Sequence, residues 1–118
     1  MPFIADRMEE GYRQHAMVVR PKLKRSPREI IYSQVYASFQ HDSSAITTVT
    51  AMGFDNVLWG SDYPHMEGTF GHTQATLHQL FDGVEQVTRD RILFGSFAEL
   101  FPDAPLPPPP GSGDSKVS

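Results

Sequence analysis

Residues 57–65 read VLWGSDYPH, and the architecture of the chain follows from them. The first five letters form a nearly continuous apolar run with turn residues on both sides, which is typical of a buried parallel strand. On the N-terminal side, residues 35–39 (VYASF) are rich in β-forming residues and predict an earlier strand. Between the two strands, Asp42 can cap a helix and Gly53 can end it. The sequence therefore predicts a β–α–β unit.

Helical patterns flank this unit on both sides. Ser26, Pro27 and Glu29 form a capping-box pattern that starts a helix. Including the helix between the strands, the predicted helices run over residues 6–17, 27–33, 45–52, 73–81, 88–94 and 96–101. The fold class is α/β with only two strands, and two strands do not form an independently stable sheet. The chain is therefore expected to be part of something larger.

Length and composition limit the classes of protein that remain. The chain has 118 residues, which is one domain at most. Residues 1–104 are expected to fold, and the Pro/Gly/Ser-rich residues 105–118 predict a disordered tail. With no cysteine, disulfide scaffolds, zinc fingers and thiol nucleophiles are excluded. No apolar run approaches a membrane span and no signal-peptide pattern occurs, so a cytoplasmic protein is expected.

Charge is distributed unevenly along the chain. Residues 1–35 carry a balance of +3 and residues 36–104 a balance of −7, within a total of −4. Residues 20–25 (RPKLKR) hold four positive charges and could form a nucleic-acid patch. They lack interleaved aromatic residues and belong to an acidic protein, so a solvated loop without nucleic acid is the preferred interpretation.

Polar and ionisable residues gather where the second strand ends. They are Ser61, Asp62, Tyr63, His65, Glu67 and His72. Functional side chains of parallel α/β folds lie at the carboxyl ends of strands. A carboxylate there can bind a divalent metal or accept a proton from metal-bound water, and a nearby imidazole can add a ligand or acid–base capacity. Asp62 can equally be a simple turn opener.

Several other residues carry weaker signals. His41 follows the first strand but has no partner in sequence, and His15 and His78 fall on predicted helices. No His-x-His or His-x-x-x-His pair occurs, so no metal site can be assembled from a local motif. The sequence also lacks a Gly-x-Ser-x-Gly nucleophile elbow and a phosphate-binding loop.

Residues 56–70 (NVLWGSDYPHMEGTF) resemble the end of the last barrel strand in the amidohydrolase-related family, whose members include aminocarboxymuconate-semialdehyde decarboxylase. Residues 35–42 resemble its seventh strand and following helix cap, and residues 92–101 resemble its closing segment. Residues 1–33 resemble the excursion after strand six. The resemblance implies the C-terminal quarter to third of a (β/α)₈ TIM barrel, which is incomplete alone because such a barrel needs about 250 residues or more.

The resemblance also implies site roles. Asp62 matches the family's last-strand metal ligand, which in hydrolytic members takes a proton from metal-activated water. His65 matches the motif's histidine and is expected beside the metal or the substrate. A divalent metal, zinc in the first instance, is the implied cofactor, with a small-molecule substrate. We therefore expect Asp62 at the end of a strand, facing a cleft, with His65 close by.

Two functional classes stay open. The first is the C-terminal part of a metal-dependent hydrolase or decarboxylase, with this chain inactive alone. The second is a non-catalytic binding module, or a partner subunit that completes a barrel. In either case the exposed strand edges favour self-association.

Overall fold

The computed structural model describes residues 1–105. Its elements are α1 (Pro2–His15), α2 (Pro27–Gln34), β1 (Ala37–Phe39), α3 (Ser43–Met52), β2 (Val57–Trp59), α4 (Thr73–Leu80), α5 (Gln86–Asp90), a π-helical turn (Arg91–Gly95) and α6 (Ser96–Leu100). The α/β class is confirmed. The predicted tail lies outside the described residues, apart from exposed Pro105.

The sheet of the described residues has two strands, and they are parallel. Ala37 pairs with Val57 and Phe39 with Trp59, and α3 connects the strands, so the predicted β–α–β unit is confirmed. Both strands are shorter than predicted. Val35 donates its N–H to Ile31 and so ends α2, while the carbonyl of Ser61 accepts a hydrogen bond from the loop that follows β2. The predicted start of β1 therefore belongs to the end of α2, and the predicted end of β2 belongs to the following loop.

The helices bury one face of the sheet. The sheet contributes Phe39 and Val57 to the hydrophobic core. The helices and the segments next to them contribute the other buried apolar residues, which are Ala5, Ile31, Phe54, Leu77, Phe81 and Ile92. Because side chains alternate along a strand, Ser38 and Leu58 lie on the opposite face. Ser38 is exposed and Leu58 is half-buried. Parallel sheets are normally covered on both faces, whereas Ser38 on the second face of this sheet is exposed.

The ends of α2 and α3 follow the sequence to different degrees. The capping box of α2 is confirmed, because the Ser26 hydroxyl accepts the N–H of Glu29 and the Glu29 carboxylate accepts the N–H of Ser26. Gly53 ends α3 with a left-handed φ of 65°, as predicted. Asp42 precedes α3, but its Oδ2 accepts the backbone N–H of Gln40 at 3.4 Å instead of capping the helix.

The other predicted helix boundaries need correction. Helix α1 begins at Pro2 and not at Asp6, because proline suits the first helical position. It ends at His15, before the exposed basic loop of residues 20–25. His72, not Thr73, precedes α4, and the Thr73 hydroxyl donates to the carbonyl of Thr69 at 2.9 Å.

The prediction of two separate C-terminal helices is wrong. Residues 86–100 are helical throughout, with the π-helical turn joining α5 to α6. Thr88 lies inside α5, and Ser96 keeps helical φ and ψ values of −63° and −37°. Ser96 is completely buried and its hydroxyl donates to the carbonyl of Asp55 at 3.4 Å. Ser96, which the sequence pattern assigned to a helix cap, therefore contacts the backbone just before β2 instead.

Arg91 forms an ion pair within this helical segment and also a hydrogen bond to the amino end of β2. Arg91 Nη1 lies 2.6 Å from Glu99 Oε2, and Arg91 Nη2 donates to Asn56 Oδ1 at 3.3 Å. The Arg91 guanidinium and the nearby Tyr36 hold the pKa of Glu99 below its usual value. Burial, with the Glu99 carboxylate nearby, raises the pKa of Tyr36. This network lies at the opposite end of β2 from Asp62. Among residues 1–105, no helix is both long and apolar enough to span a membrane.

Candidate functional site at the carboxyl ends of the strands

Asp62 lies three residues after the end of β2. Its backbone is in the left-handed region with φ at 55°. Aspartate tolerates this region better than most residues, because its short polar side chain can bond locally. Strained backbone of this kind concentrates at functional sites, so the conformation is a reason to examine what the side chain does.

The Asp62 side chain contacts His65. His65 Nδ1 lies 2.8 Å from Asp62 Oδ1, with the two side chains 73% and 45% exposed. An ionised carboxylate is an acceptor only, so Nδ1 donates the proton in this contact. In the neutral imidazole, Nε2 then carries a lone pair that can accept a proton or bind a metal. Asp62 Oδ2 takes no part in this contact, and a carboxylate oxygen of this kind can also accept a proton or bind a metal.

The loop that carries this pair is folded on itself. The backbone N–H of His65 donates to Asp62 O, that of Gly68 to His65 O, and that of Thr69 to Ser61 O, each at 2.9 Å. Thr69 is completely buried. The loop is therefore held from within, and the Asp62–His65 geometry does not depend on a neighbouring element alone.

Gly68 lets this loop close. A Cβ atom at this position would lie 2.9 Å from the carbonyl oxygen of His65, 3.0 Å from that of Ser61 and 3.1 Å from that of Asp62. All three atoms belong to the backbone of the Asp62 loop, so they cannot yield by a side-chain rotation. A larger residue would displace the segment that carries Asp62 and His65.

A cleft opens between the carboxyl ends of β1 and β2. It is lined by Ser38, Phe39, Gln40, Asp42, Gly60 and Asp62. The predicted position of Asp62, after a strand and at a cleft with His65 beside it, is confirmed. Gln40 joins the two loops, because its side chain donates to Glu67 O while its own carbonyl accepts the Trp59 indole N–H at 3.0 Å.

The remaining sequence candidates separate into groups. Tyr63 is exposed and packs against Phe70, which was not a sequence candidate, with ring centroids 5.2 Å apart. His41 and His72 form a second pair with nearly parallel rings. His78 is exposed on α4, and His15 is the last residue of α1. The histidines therefore do not converge on Asp62, apart from His65.

Two of these contacts, His41 with His72 and Gln40 with Glu67, could not be predicted from local sequence patterns. His41 and His72 are 31 positions apart, and Gln40 reaches a backbone carbonyl 27 positions away. The available signal is positional, because residues that follow neighbouring parallel strands meet at the same edge of a sheet. His41 had that position, but the sequence offered no partner for it.

The described residues supply only part of a zinc ligand set. Asp62 and His65 are suitable donor types, but a catalytic zinc site needs about three protein ligands and an open position. Within residues 1–105 there is no group of three or more His, Asp or Glu side chains able to hold a metal ion. Any zinc site that uses Asp62 therefore needs ligands from outside this part of the chain.

Comparison with protein-family models finds none that matches the chain, and comparison with curated proteins finds no significant match. Support for a function therefore comes from the geometry of these residues and from the sequence resemblance of residues 56–70.

Proposed function

We propose that this chain is the C-terminal part of a metal-dependent enzyme of the amidohydrolase-related family. The parent enzyme would hydrolyse C–N or C–O bonds, or decarboxylate a small carboxylate substrate. The observation that carries the proposal is the Asp62–His65 contact of 2.8 Å at a cleft beyond the second of two parallel strands. Catalytic residues of parallel barrels lie at this end of the strands.

The proposed architecture places β1 and β2 as the seventh and eighth strands of a (β/α)₈ barrel. Parallel pairing through a helix supports this assignment. The exposed face that carries Ser38 supports it further, because a barrel encloses that face and lines it with side chains from all its strands. The remaining strands would close the barrel on both edges of this sheet.

The proposed chemistry assigns a role to each residue of the pair. Asp62 offers Oδ2 as a metal ligand or proton acceptor, and His65 holds the carboxylate in place through Nδ1. A bound zinc ion supplies Lewis acidity to a water molecule or a substrate carbonyl. Because residues 1–105 offer no complete ligand set, the chain alone is inactive in this proposal.

The first test reads the DNA upstream of Met1 in all three frames. The proposal expects a His-x-His near the start of an extension of about 250 residues, with two further histidines after later strands. The absence of this pattern, both upstream and in any neighbouring gene, would end the enzyme proposal.

The second test measures zinc in the extended protein. We expect Asp62→Asn to weaken zinc binding by about tenfold or more and to abolish activity, because it removes a ligand charge. Asp82→Asn is the matched control, since Asp82 is an exposed aspartate in the turn after α4. Equal zinc affinity in both variants would remove Asp62 from the metal site.

A second candidate function is a non-catalytic interaction module or a subunit that completes a partner's barrel. The observation that favours it is the number of exposed apolar side chains, among them Phe3, Met17, Val18, Met66 and Phe70. Exposed apolar side chains mark an interaction site where they form a contiguous patch. This candidate expects partner binding that is unchanged by Asp62→Asn.

A further inference from the structure

Apolar side chains form an exposed stripe on α1. Ile4 and Met8 are one helical turn apart, so they are neighbours on the same side of the helix, and they are 46% and 52% exposed. Tyr12 lies one turn further along, and its hydroxyl accepts the backbone N–H of Leu23 at 3.1 Å. Leu23 is itself exposed. This hydrogen bond therefore brings the loop of residues 16–25 beside the end of the stripe.

The loop of residues 16–25 combines basic and apolar side chains. Its exposed basic side chains are Arg20, Lys22, Lys24 and Arg25. Leu23 lies between two of them in sequence, and Met17 and Val18 are exposed as well. The Arg20 guanidinium donates to the carbonyl of Met17 at 3.1 Å, so the first positive charge lies against the apolar part of the loop. The two kinds of side chain therefore share one surface with the α1 stripe.

The positive charge of this loop is not neutralised by nearby carboxylates, because the four acidic side chains of residues 1–35 have other partners. These partners are the Arg28 side chain for Asp6, the Arg28 N–H for Glu9, the Arg13 side chain for Glu10 and the Ser26 N–H for Glu29. Arg25 donates to the neutral hydroxyl of Ser33 at 3.0 Å. Within residues 1–105, no ion pair involves the four basic side chains of the loop.

We propose that α1 and the loop of residues 16–25 bind the surface of a bilayer that contains anionic lipids. Interfacial binding combines basic side chains near the headgroups with apolar side chains at the acyl boundary, which is the combination found here. The aliphatic side chains of Met17, Val18 and Leu23 also favour lipid over nucleic acid, whose phosphate backbone offers them no apolar partner. Asp62 and His65 take no part in this binding.

The charge of the rest of the chain orients it on such a bilayer. Residues 1–35 carry a balance of +3, and residues 36–104 carry a balance of −7. An anionic surface therefore attracts the part that holds α1 and the loop and repels the remainder. The chain lies on the bilayer without crossing it.

The test incubates the full chain with vesicles and measures the fraction that co-sediments with them. We expect binding to phosphatidylcholine vesicles that contain about 30% phosphatidylserine, and little binding to phosphatidylcholine alone. Raising NaCl from about 50 mM to about 500 mM should weaken the binding by about tenfold or more, because salt screens the attraction. These measurements need no variant.

A double variant tests the basic side chains. Lys22→Gln with Lys24→Gln should weaken binding by about twentyfold, since each Lys or Arg near an anionic surface contributes about fivefold. Thr47→Glu with Gln79→Glu is the charge-matched control, because it lowers the net charge equally at exposed positions of α3 and α4. The control should weaken binding by less than about threefold, since it leaves the loop intact.

A second double variant tests the apolar side chains. Met8→Gln with Leu23→Gln should weaken binding by about tenfold, since it removes apolar surface that enters the acyl boundary. Val87→Gln changes an exposed apolar side chain of α5 and should leave binding unchanged. Far-UV circular dichroism should show that every variant folds alike.

The proposal is overturned if the chain binds neutral and anionic vesicles equally, or if the lysine double variant binds as tightly as its charge-matched control. It is equally overturned if the chain binds a single-stranded oligonucleotide but no vesicle. That result would make the loop a nucleic-acid surface instead.

Discussion

At the scale of single residues, the loop after β2 depends on what each position allows. Asp62 accepts a left-handed backbone, His65 turns its Nδ1 to the Asp62 carboxylate, and Gly68 leaves room for three carbonyl oxygens. The carboxylate–imidazole geometry is therefore a property of the loop and is in place without a metal ion.

Gly68→Ala tests this dependence. Its Cβ would meet backbone oxygen atoms at 2.9–3.1 Å, so we expect a loss of about 1–3 kcal/mol in the free energy of unfolding, measured in urea. Gly60→Ala is the control in the same loop, because a Cβ there meets nothing within 4 Å. It should change stability by less than about 0.5 kcal/mol. Equal losses in both variants would contradict this account of Gly68.

At the scale of elements, α2 and α3 show that a cap residue counts only if its side chain reaches the helix. Ser26 and Glu29 satisfy two backbone N–H groups at the start of α2. Asp42 stands at the equivalent place before α3, yet its carboxylate turns back to Gln40. The Asp42 carboxylate therefore bonds to the Gln40 backbone beside the cleft and does not cap α3.

The two helices predict different costs for removing the cap. Ser26→Ala should lower the free energy of unfolding by about 1 kcal/mol, since it leaves the Glu29 N–H without its acceptor. Asp42→Ala should cost clearly less, because it breaks one long hydrogen bond of 3.4 Å. Thermal or urea unfolding checks both variants, and an equal or larger loss in Asp42→Ala would mean that its carboxylate caps α3 in solution.

At the scale of the whole molecule, the sheet is small and one of its faces carries an exposed side chain. Its two strands have three residues each in the part of the chain that the structure describes. The helices cover the face that carries Phe39 and Val57, and Ser38 on the other face is exposed. A two-stranded sheet is at best marginally stable in water, so contact with further chain or with another copy would stabilise it.

We expect the isolated chain to self-associate, with a sedimentation coefficient that rises with protein concentration. Ser38→Lys should weaken this association by about tenfold or more, since it places like charges on the open face of the sheet. Thr47→Lys, at an exposed position of α3, is the control and should have little effect. A monomer at every concentration that unfolds cooperatively would show that the sheet needs no partner.

Much of the local structure could be predicted because it is encoded within a few residues. The two parallel strands, the capping box at Ser26 and the stop at Gly53 follow from hydrophobic runs and cap residues. The separate C-terminal helices could not be excluded from sequence, because Ser96 has the same local pattern whether it caps a helix or packs beneath β2. The roles of Asp62 and His65 in metal binding and catalysis stay predictions.

The position of Asp62 at the carboxyl edge of the sheet follows from the sequence, since residues in the loop after a buried parallel strand lie at that edge. The packing of the whole chain decides the exposure of Ser38. It also decides two contacts, which are His41 with His72 and Gln40 with Glu67. The physical reason is range: helix and strand preferences act over a few neighbouring residues, whereas these contacts join residues about 30 positions apart through the elements between them.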